Sequence, residues 1–416
     1  MSRWCLLLLM LLGSALSSAA DGPAFRPDLQ VRRGLPATAA IAQAGGELRV
    51  AFLGGSITAA DGWRPLVTAW LRDLLPGVTV TDFNAGLPGT GSDLGVCRLG
   101  ADVLRHRPDL IFVEFAVNDA AAPAERIERT MEGIVRQAWR ELPGADLVFV
   151  YTVSTPGLVE FQAGRWPAAA LAMERVAEHY GLPSLHLGAE VARRAQAGEL
   201  VFKGTAADGD RAFSLDGVHP TSAGHRLYAE SVLRAWPDWL AAPQSRPPLP
   251  APLRTDNWER AGLLPVTAAE RTGDWQPVAA DDANLRGVTK ALLPPTWRAA
   301  AAGDRLEFTF TGTRVGLLGI AAPDSGTFRV TVDDEPPVTG TFFDAYASPT
   351  FCRVEKWFYP RDLPPGLHRV RVELLADPVD KAGIKAAAGK TLGEPAPYAL
   401  QRLTLSGLLW IDTPSL

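Results

Sequence analysis

The feature that most constrains this chain is an alternation that begins at Leu48. Five apolar, strand-like runs, "LRVAFLGG", "VTVTDFNAG", "DLIFVEFAVND", "DLVFVYTVS" and "LPSLHLG", are each separated by an amphipathic stretch. Parallel strands need long crossover connections, and those crossovers become helices that cover the sheet. The runs are nearly continuous in Val, Leu, Ile and Phe, as strands buried on both faces must be. An α/β fold with a doubly wound parallel sheet is therefore expected over residues 48–240. The helix expected over residues 221–236 would close it, with Thr221 or Ser222 accepting hydrogen bonds from its first free amides.

The pattern then breaks. Six prolines fall between Pro237 and Pro252, which removes backbone donors and predicts an extended, semi-rigid connector over 241–253. From Arg254 to Leu416 the apolar residues alternate with period two, as in Leu306, Phe308 and Phe310 or in Phe328, Val330 and Val332. With turn residues between them and little helical pattern, these runs predict an antiparallel β-sandwich. Two or three domains suit the 416 residues of the chain.

Residues 1–20, "MSRWCLLLLMLLGSALSSAA", carry one arginine, an apolar run through Leu12 and small residues up to Ala19 and Ala20. Such a segment is read as a secretory signal, followed by an N-terminal extension over 21–47. The apolar run is too short to span a bilayer comfortably, so no transmembrane segment is expected in the mature chain. Cys5 precedes that run, which is not where a lipidated cysteine would lie. The expectation is export to the periplasm or the exterior. Cys97 and Cys352 remain; a disulfide between them would have to join two domains, and neither has metal-ligand spacing. The formal net charge of -5 offers no basic field for a nucleic acid backbone. Nothing in the sequence sets an oligomeric state.

In a doubly wound sheet, ligands bind outside the carboxyl ends of the strands, so the loops there should hold the chemistry. Strand one ends in "GGSIT", strand two in "NAGLPGTGS" and strand three in "EFAVND", while "DGVHP" leads into the closing helix. Together they contain a nucleophile candidate, Ser56, and a base candidate, His219, with Asp216 three residues upstream to hold the other ring nitrogen. A serine hydroxyl becomes a useful nucleophile only when a base takes its proton, and neutral imidazole has the affinity to do so. The amides of Ser56 and Gly89 and the side chain of Asn118 are candidate donors to the negative oxygen that such an attack creates. The serine is not in a G-x-S-x-G elbow. "GLPGTGSDLG" lacks the lysine of a phosphate loop and does not match G-x-G-x-x-G, so no nucleotide cofactor is expected. No metal-binding pattern is present, and "ADGDRAF" reads as a solvated loop. His106, His179, His186, His225 and His368 have no catalytic company and read as surface or packing residues.

These four segments, in this order, resemble the SGNH hydrolases, also called the GDSL lipase and acylhydrolase family. The first block usually reads G-D-S there and is "GGS" here, so Gly55 replaces its aspartate; the nucleophile carries over as Ser56. The family's second block places its oxyanion glycine in N-x-x-x-x-G, which runs from Asn84 to Gly89 and favours Gly89 over Gly86. The third, G-x-N-D, keeps Asn118 and Asp119 but has Ala116 for the glycine. The last, D-x-x-H, is matched by Asp216 and His219. The resemblance covers roughly residues 48–240 and implies a flavodoxin-like α/β/α domain with five parallel strands, and cofactor-free ester hydrolysis through an acyl-enzyme.

Joined to a β-sandwich, such a domain resembles bacterial carbohydrate esterases, some of which carry a jelly-roll domain. That implies O-deacetylation of a carbohydrate, with the sandwich presenting glycans or completing the cleft. A lipase or thioesterase acting on lipid or small esters would use the same residues, and a non-catalytic glycan-binding surface protein is the third possibility. Trp63 and Trp166, just past the first and fourth strands, are candidate rings for stacking on a substrate, with core or rim packing the commoner role of a lone tryptophan.

Overall fold

The computed structural model describes residues 28–243 and 248–413. The expected signal segment 1–20 lies outside the described residues, as do residues 21–27. Six strands form the first sheet: β1 (Leu29–Gln30), β2 (Gly46–Gly54), β3 (Val78–Gly86), β4 (Leu110–Glu114), β5 (Asp146–Val150) and β6 (Ser184–Leu185), in the order β1-β6-β5-β4-β2-β3. The last five are mutually parallel, and their order is that of a flavodoxin-like sheet. The sixth strand, β1, is an antiparallel edge supplied by the segment before Leu48. The same segment forms helix α1 (Pro36–Ala44), whose Thr38 hydroxyl donates to Asp146 at 2.9 Å.

Eight more helices follow in this domain: α2 (Ser56–Ala59), α3 (Trp63–Leu74), α4 (Ser92–Asp102), α5 (Ala124–Glu141), α6 (Thr155–Gln162), α7 (Ala168–Tyr180), α8 (Leu187–Gln196) and α9 (Ser222–Ala241). Helices α4, α5 and α7 cover the sheet face that carries Ile111, Val113 and Phe149. Helices α3, α8 and α9 cover the face of Phe52, Phe112 and Val150. This three-layer arrangement explains the unbroken apolar runs, since both strand faces are dry. Thr221 caps α9 by accepting from the Gly224 amide at 3.2 Å. The helix continues through Pro237 to Ala241, five residues past the span expected for it.

A small parallel pair, β7 (Val201–Lys203) and β8 (Ala212–Ser214), precedes α9. Beyond the connector come β9 (Ala261–Pro265), β10 (Glu270–Thr272), β11 (Trp275–Pro277), β12 (Trp297–Ala299), β13 (Arg305–Gly312), β14 (Arg314–Ala321) and β15 (Thr327–Val332). They are followed by β16 (Val338–Thr341), β17 (Arg353–Phe358), β18 (Gly366–Leu374) and β19 (Leu403–Ile411). One sheet runs β10-β13-β18-β15-β16 and the other β11-β12-β19-β14-β17, with β9 also on β19; every pairing is antiparallel. The period-two residues Leu306, Phe308, Phe310, Phe328, Val330 and Val332 all point into the core between the sheets.

The second sheet is buried on its outer face as well. Leu318, Ile320, Val354, Leu409 and Ile411 share one apolar core with Leu94, Val96, Met131 and Ile134 of α4 and α5. That double burial is why "GLLGIA" in β14 lacks alternation. Nor is the described part of the connector a free spacer. Glu132 of α5 accepts from the Arg254 amide at 2.8 Å, Arg136 donates to the Pro250 carbonyl at 2.9 Å, and Arg254 pairs with Glu128 at 3.1 Å. Cys97 and Cys352 are both free thiols buried in the shared core, and burial pushes both thiols above their usual range. Among the described residues no helix is long and apolar enough to cross a membrane.

Candidate active site

The carboxyl ends of β2, β3 and β4 bring the three sequence blocks to one edge, and the loop between β8 and α9 completes it. Ser56 is the first residue of α2, directly after the turn that ends β2. Its Oγ lies 2.9 Å from Nε2 of His219, and Nδ1 of the same ring lies 2.7 Å from Oδ2 of Asp216. With its proton on Nδ1, the imidazole donates to Asp216 and leaves Nε2 to accept from the serine. The other Asp216 oxygen accepts from the amides of Val218 and His219, both at 2.8 Å, and from Ser214 Oγ at 3.0 Å. Partial burial works to raise this carboxyl, but the His219 ring and those donors hold it well below the usual carboxylate range. Asp216 therefore stays ionised where an imidazolium would need a counter-charge. The pair is open to solvent, with 52% of the His219 side chain and 56% of that of Asp216 exposed.

Around Ser56 stand the candidate donors. Gly89 adopts φ +75°, a conformation that glycine accepts freely, and its amide has no partner among the described residues. The amide of Gly86 is already taken by Asn84 Oδ1 at 2.9 Å. The geometry thus favours Gly89 over Gly86. A β-carbon on Gly55 would stand 2.0 Å from Oδ1 of Asn118. Glycine at 55, where the resembled family usually has aspartate, is what lets the Asn118 amide lie beside the serine.

Several supporting residues escaped the sequence reading. Glu114, the last residue of β4, is fully buried and accepts from Thr58 Oγ1 at 3.0 Å and Thr152 Oγ1 at 2.6 Å, with the Gly55 amide adding to the set. Burial raises its carboxyl in spite of these donors. Arg98 donates to the Gly54 carbonyl at 3.1 Å while paired with Asp102 at 2.8 Å, tying α4 to the end of β2. Asp119, already present in the third sequence block, accepts from the Ser92 amide at 3.1 Å and so ties the loop after β4 to the start of α4; burial pushes its carboxyl up to about 7. The only local signal for Glu114 was a carboxylate inside an otherwise apolar run.

Residues 52–227 match the GDSL-like Lipase/Acylhydrolase family. That match lies within the α/β domain and leaves the sandwich outside it. The match supports a carboxylic ester hydrolase of the GDSL type. No curated protein matches the sequence. Two crystal structures of a two-domain esterase active on acetylated mannans (CEX) share the fold across both domains. The one co-crystallised with mannopentaose gives a TM-score of 0.71 at 24% identity, and the other 0.73 at 23%; each comparison covers 94% of this chain and 98% of that one.

The sandwich reaches the edge of the GDSL-like domain. A β-carbon at position 89 would lie 3.1 Å from Nη1 of Arg353, the first residue of β17. Arg353 is held by an ion pair with Asp344, by Glu355 at 3.0 Å and by the ring of Tyr346, whose centroid lies 5.2 Å from the guanidinium carbon. Tyr346 is 56% exposed. Three residues further along β17, Lys356 pairs with Asp93 of α4 at 3.2 Å.

The two tryptophan candidates part company in the structure. Trp63 is fully buried, edge-on to Phe52 and Phe112 at 5.3 and 5.9 Å, so core packing replaces the expected stacking role. Trp166 is 6% exposed, edge-on to His186 at 4.9 Å, and lines a cavity of about 420 Å³ with Val117 and Ser154 at the ends of β4 and β5. His186 and His225 are packing residues: burial pushes the first down to about 3 and the second to about 4, where the nearby His219 adds to the effect. His225 accepts from the Trp63 amide at 3.2 Å.

Proposed function

We propose that the protein is an exported serine esterase that removes O-acyl groups, above all O-acetyl groups, from carbohydrates. The observation that carries the mechanism is the continuous relay from Ser56 Oγ through His219 to Asp216, at 2.9 and 2.7 Å. Ser56 attacks the ester carbonyl and His219 takes its proton. The amides of Ser56 and Gly89 and the side chain of Asn118 then bind the carbonyl oxygen as it becomes negative, which is worth several kcal/mol. Collapse expels the sugar oxygen, and His219 returns the proton to it. A water then repeats the cycle on the acyl-serine, releasing the carboxylic acid and restoring Ser56. No cofactor enters these steps.

Three features support a carbohydrate. The relay is open, which suits a bulky polymer better than a tunnel would. The sandwich presents Arg353 and the exposed ring of Tyr346 beside the Gly89 loop, chemistry that suits sugar hydroxyls and sugar faces. The likeness to an esterase active on acetylated mannans extends over both domains. In this reading, residues 48–240 are the catalytic domain, 241–253 the connector and 254–416 the sandwich that completes the cleft. Export rests on residues 1–20.

The cavity beside Trp166 favours a second reading, because its apolar lining would also suit a longer acyl chain, as in a lipase or thioesterase. Measuring acetate released from acetylated glucomannan and xylan, alongside hydrolysis of p-nitrophenyl acetate and octanoate, separates the two. Release from a glycan with acetate preferred over octanoate is the expected result. Preference for octanoate with no release from either glycan would overturn the carbohydrate reading and leave the serine mechanism standing.

A further inference from the structure

A cavity of about 740 Å³ opens where the end of α5 meets the sandwich, lined by Arg140, Glu259, Arg260, Leu264, Trp410 and Asp412 among others. It is remote from Ser56. Helix α5 starts near the catalytic edge at Ala124, and Arg140 lies 16 residues on, which is about 24 Å at about 1.5 Å per residue. The sandwich gives the same separation. On β14, Ala321 pairs with Arg353 at the catalytic edge and Arg314 with Ile411 at the far end, seven residues or about 23 Å away.

The chemistry of the lining selects its ligand. Arg140 pairs with Glu259 at 2.9 Å, Arg260 pairs with Asp412, and Arg136 stands behind Glu259. With Glu141 also in the lining, three cations meet three anions. A neutral site of this kind gives no net attraction to an anion or a cation, yet it offers guanidinium donors and carboxylate acceptors side by side. Arg140 and Arg260 are exposed by 57% and 59% and retain unused N–H groups. Among them stands Trp410. A β-carbon on Gly262, its cross-strand partner, would be 2.7 Å from three indole atoms, so glycine at 262 lets the ring lie flat against the strand while it lines the cavity. A planar aromatic ring beside uncharged-on-balance donors and acceptors fits a pyranose, which has an apolar face and a rim of hydroxyls.

We infer that this cavity is a second carbohydrate-binding site, which grips a neutral glycan chain away from the point of cleavage. The inference rests on the carbohydrate reading above and extends it: a polymer held at two places is presented to Ser56 at raised local concentration. Affinity electrophoresis of the full chain through gels containing deacetylated glucomannan or deacetylated xylan tests it, since neither polymer is turned over. Trp410→Ala and Arg140→Ala should each weaken retardation roughly tenfold, with hydrolysis of p-nitrophenyl acetate within about twofold of wild type. Arg140 is a surface residue whose partner Glu259 keeps Arg136, so this variant tests the site even if Trp410→Ala fails to fold. Equal retardation of the wild type and a folded variant overturns the inference. Absence of retardation in the wild type overturns it too, and acetate release from the acetylated polymers then decides whether the carbohydrate reading falls with it.

Discussion

On the α/β side of the cleft, every proposed reactive group stands just past the end of a strand, while on the sandwich side Arg353 begins a strand and Tyr346 lies in the segment before it. The first arrangement follows from topology: parallel strands end together, so residues 56, 89 and 118 meet without any need of the second domain. The second depends on how one sheet docks on α4 and α5. Chemistry should therefore tolerate damage to the sandwich edge, and selection of substrate should not.

Ser56→Ala and His219→Ala offer the strongest way to break that division. Each should lower ester hydrolysis on the order of 10⁵-fold with melting temperature unchanged, as read by p-nitrophenyl acetate kinetics and thermal unfolding. Asp216→Asn should cost less, on the order of 10³-fold, because the base survives with poorer orientation. Reversed losses would show that the carboxylate does more than orient the ring. Glu114→Ala comes next. It removes the acceptor of Thr58 and Thr152 beneath the nucleophile turn, so kcat should fall about 100-fold and stability by about 2 kcal/mol, while KM is kept. Glu114→Gln should restore part of both, since its amide oxygen still accepts from one hydroxyl while its NH2 can donate to the other.

Arg353→Ala sharpens the other half of the comparison. KM on an acetylated oligosaccharide should rise about tenfold, with p-nitrophenyl acetate turnover within about twofold of wild type. Equal damage to both substrates would place Arg353 in the chemistry. The last expected effect, through Asp119, is on stability alone. Its carboxyl is raised from 3.8 to about 7 in the folded state, so folding favours the protonated form. Stability should fall as pH rises from about 4 to about 7 and stay low above that. Asp119→Asn should flatten this profile, gaining on the wild type in melting temperature at pH 8 relative to pH 5.

The same contrast explains what could be read from the sequence. The doubly wound sheet was legible because its strands are buried on both faces and its crossovers are amphipathic. The four blocks were legible because they fall where the strands end. Trp63 misled, since a residue just past the nucleophile in sequence turns inward when α3 packs on Phe52 and Phe112. Edge strand β1 lay hidden in two residues. The docking of the connector depends on Glu132 and Arg136, more than a hundred residues from the backbone they hold. Arg353 gave no local signal, because its neighbour Gly89 lies 264 positions away.

The most direct test of the account is to label the full-length protein with a fluorophosphonate and map the adduct by peptide mass spectrometry. A single adduct on Ser56, strongly reduced in His219→Ala, is the predicted result. An adduct on another serine, or ester hydrolysis that persists with Ser56 unlabelled, would contradict it.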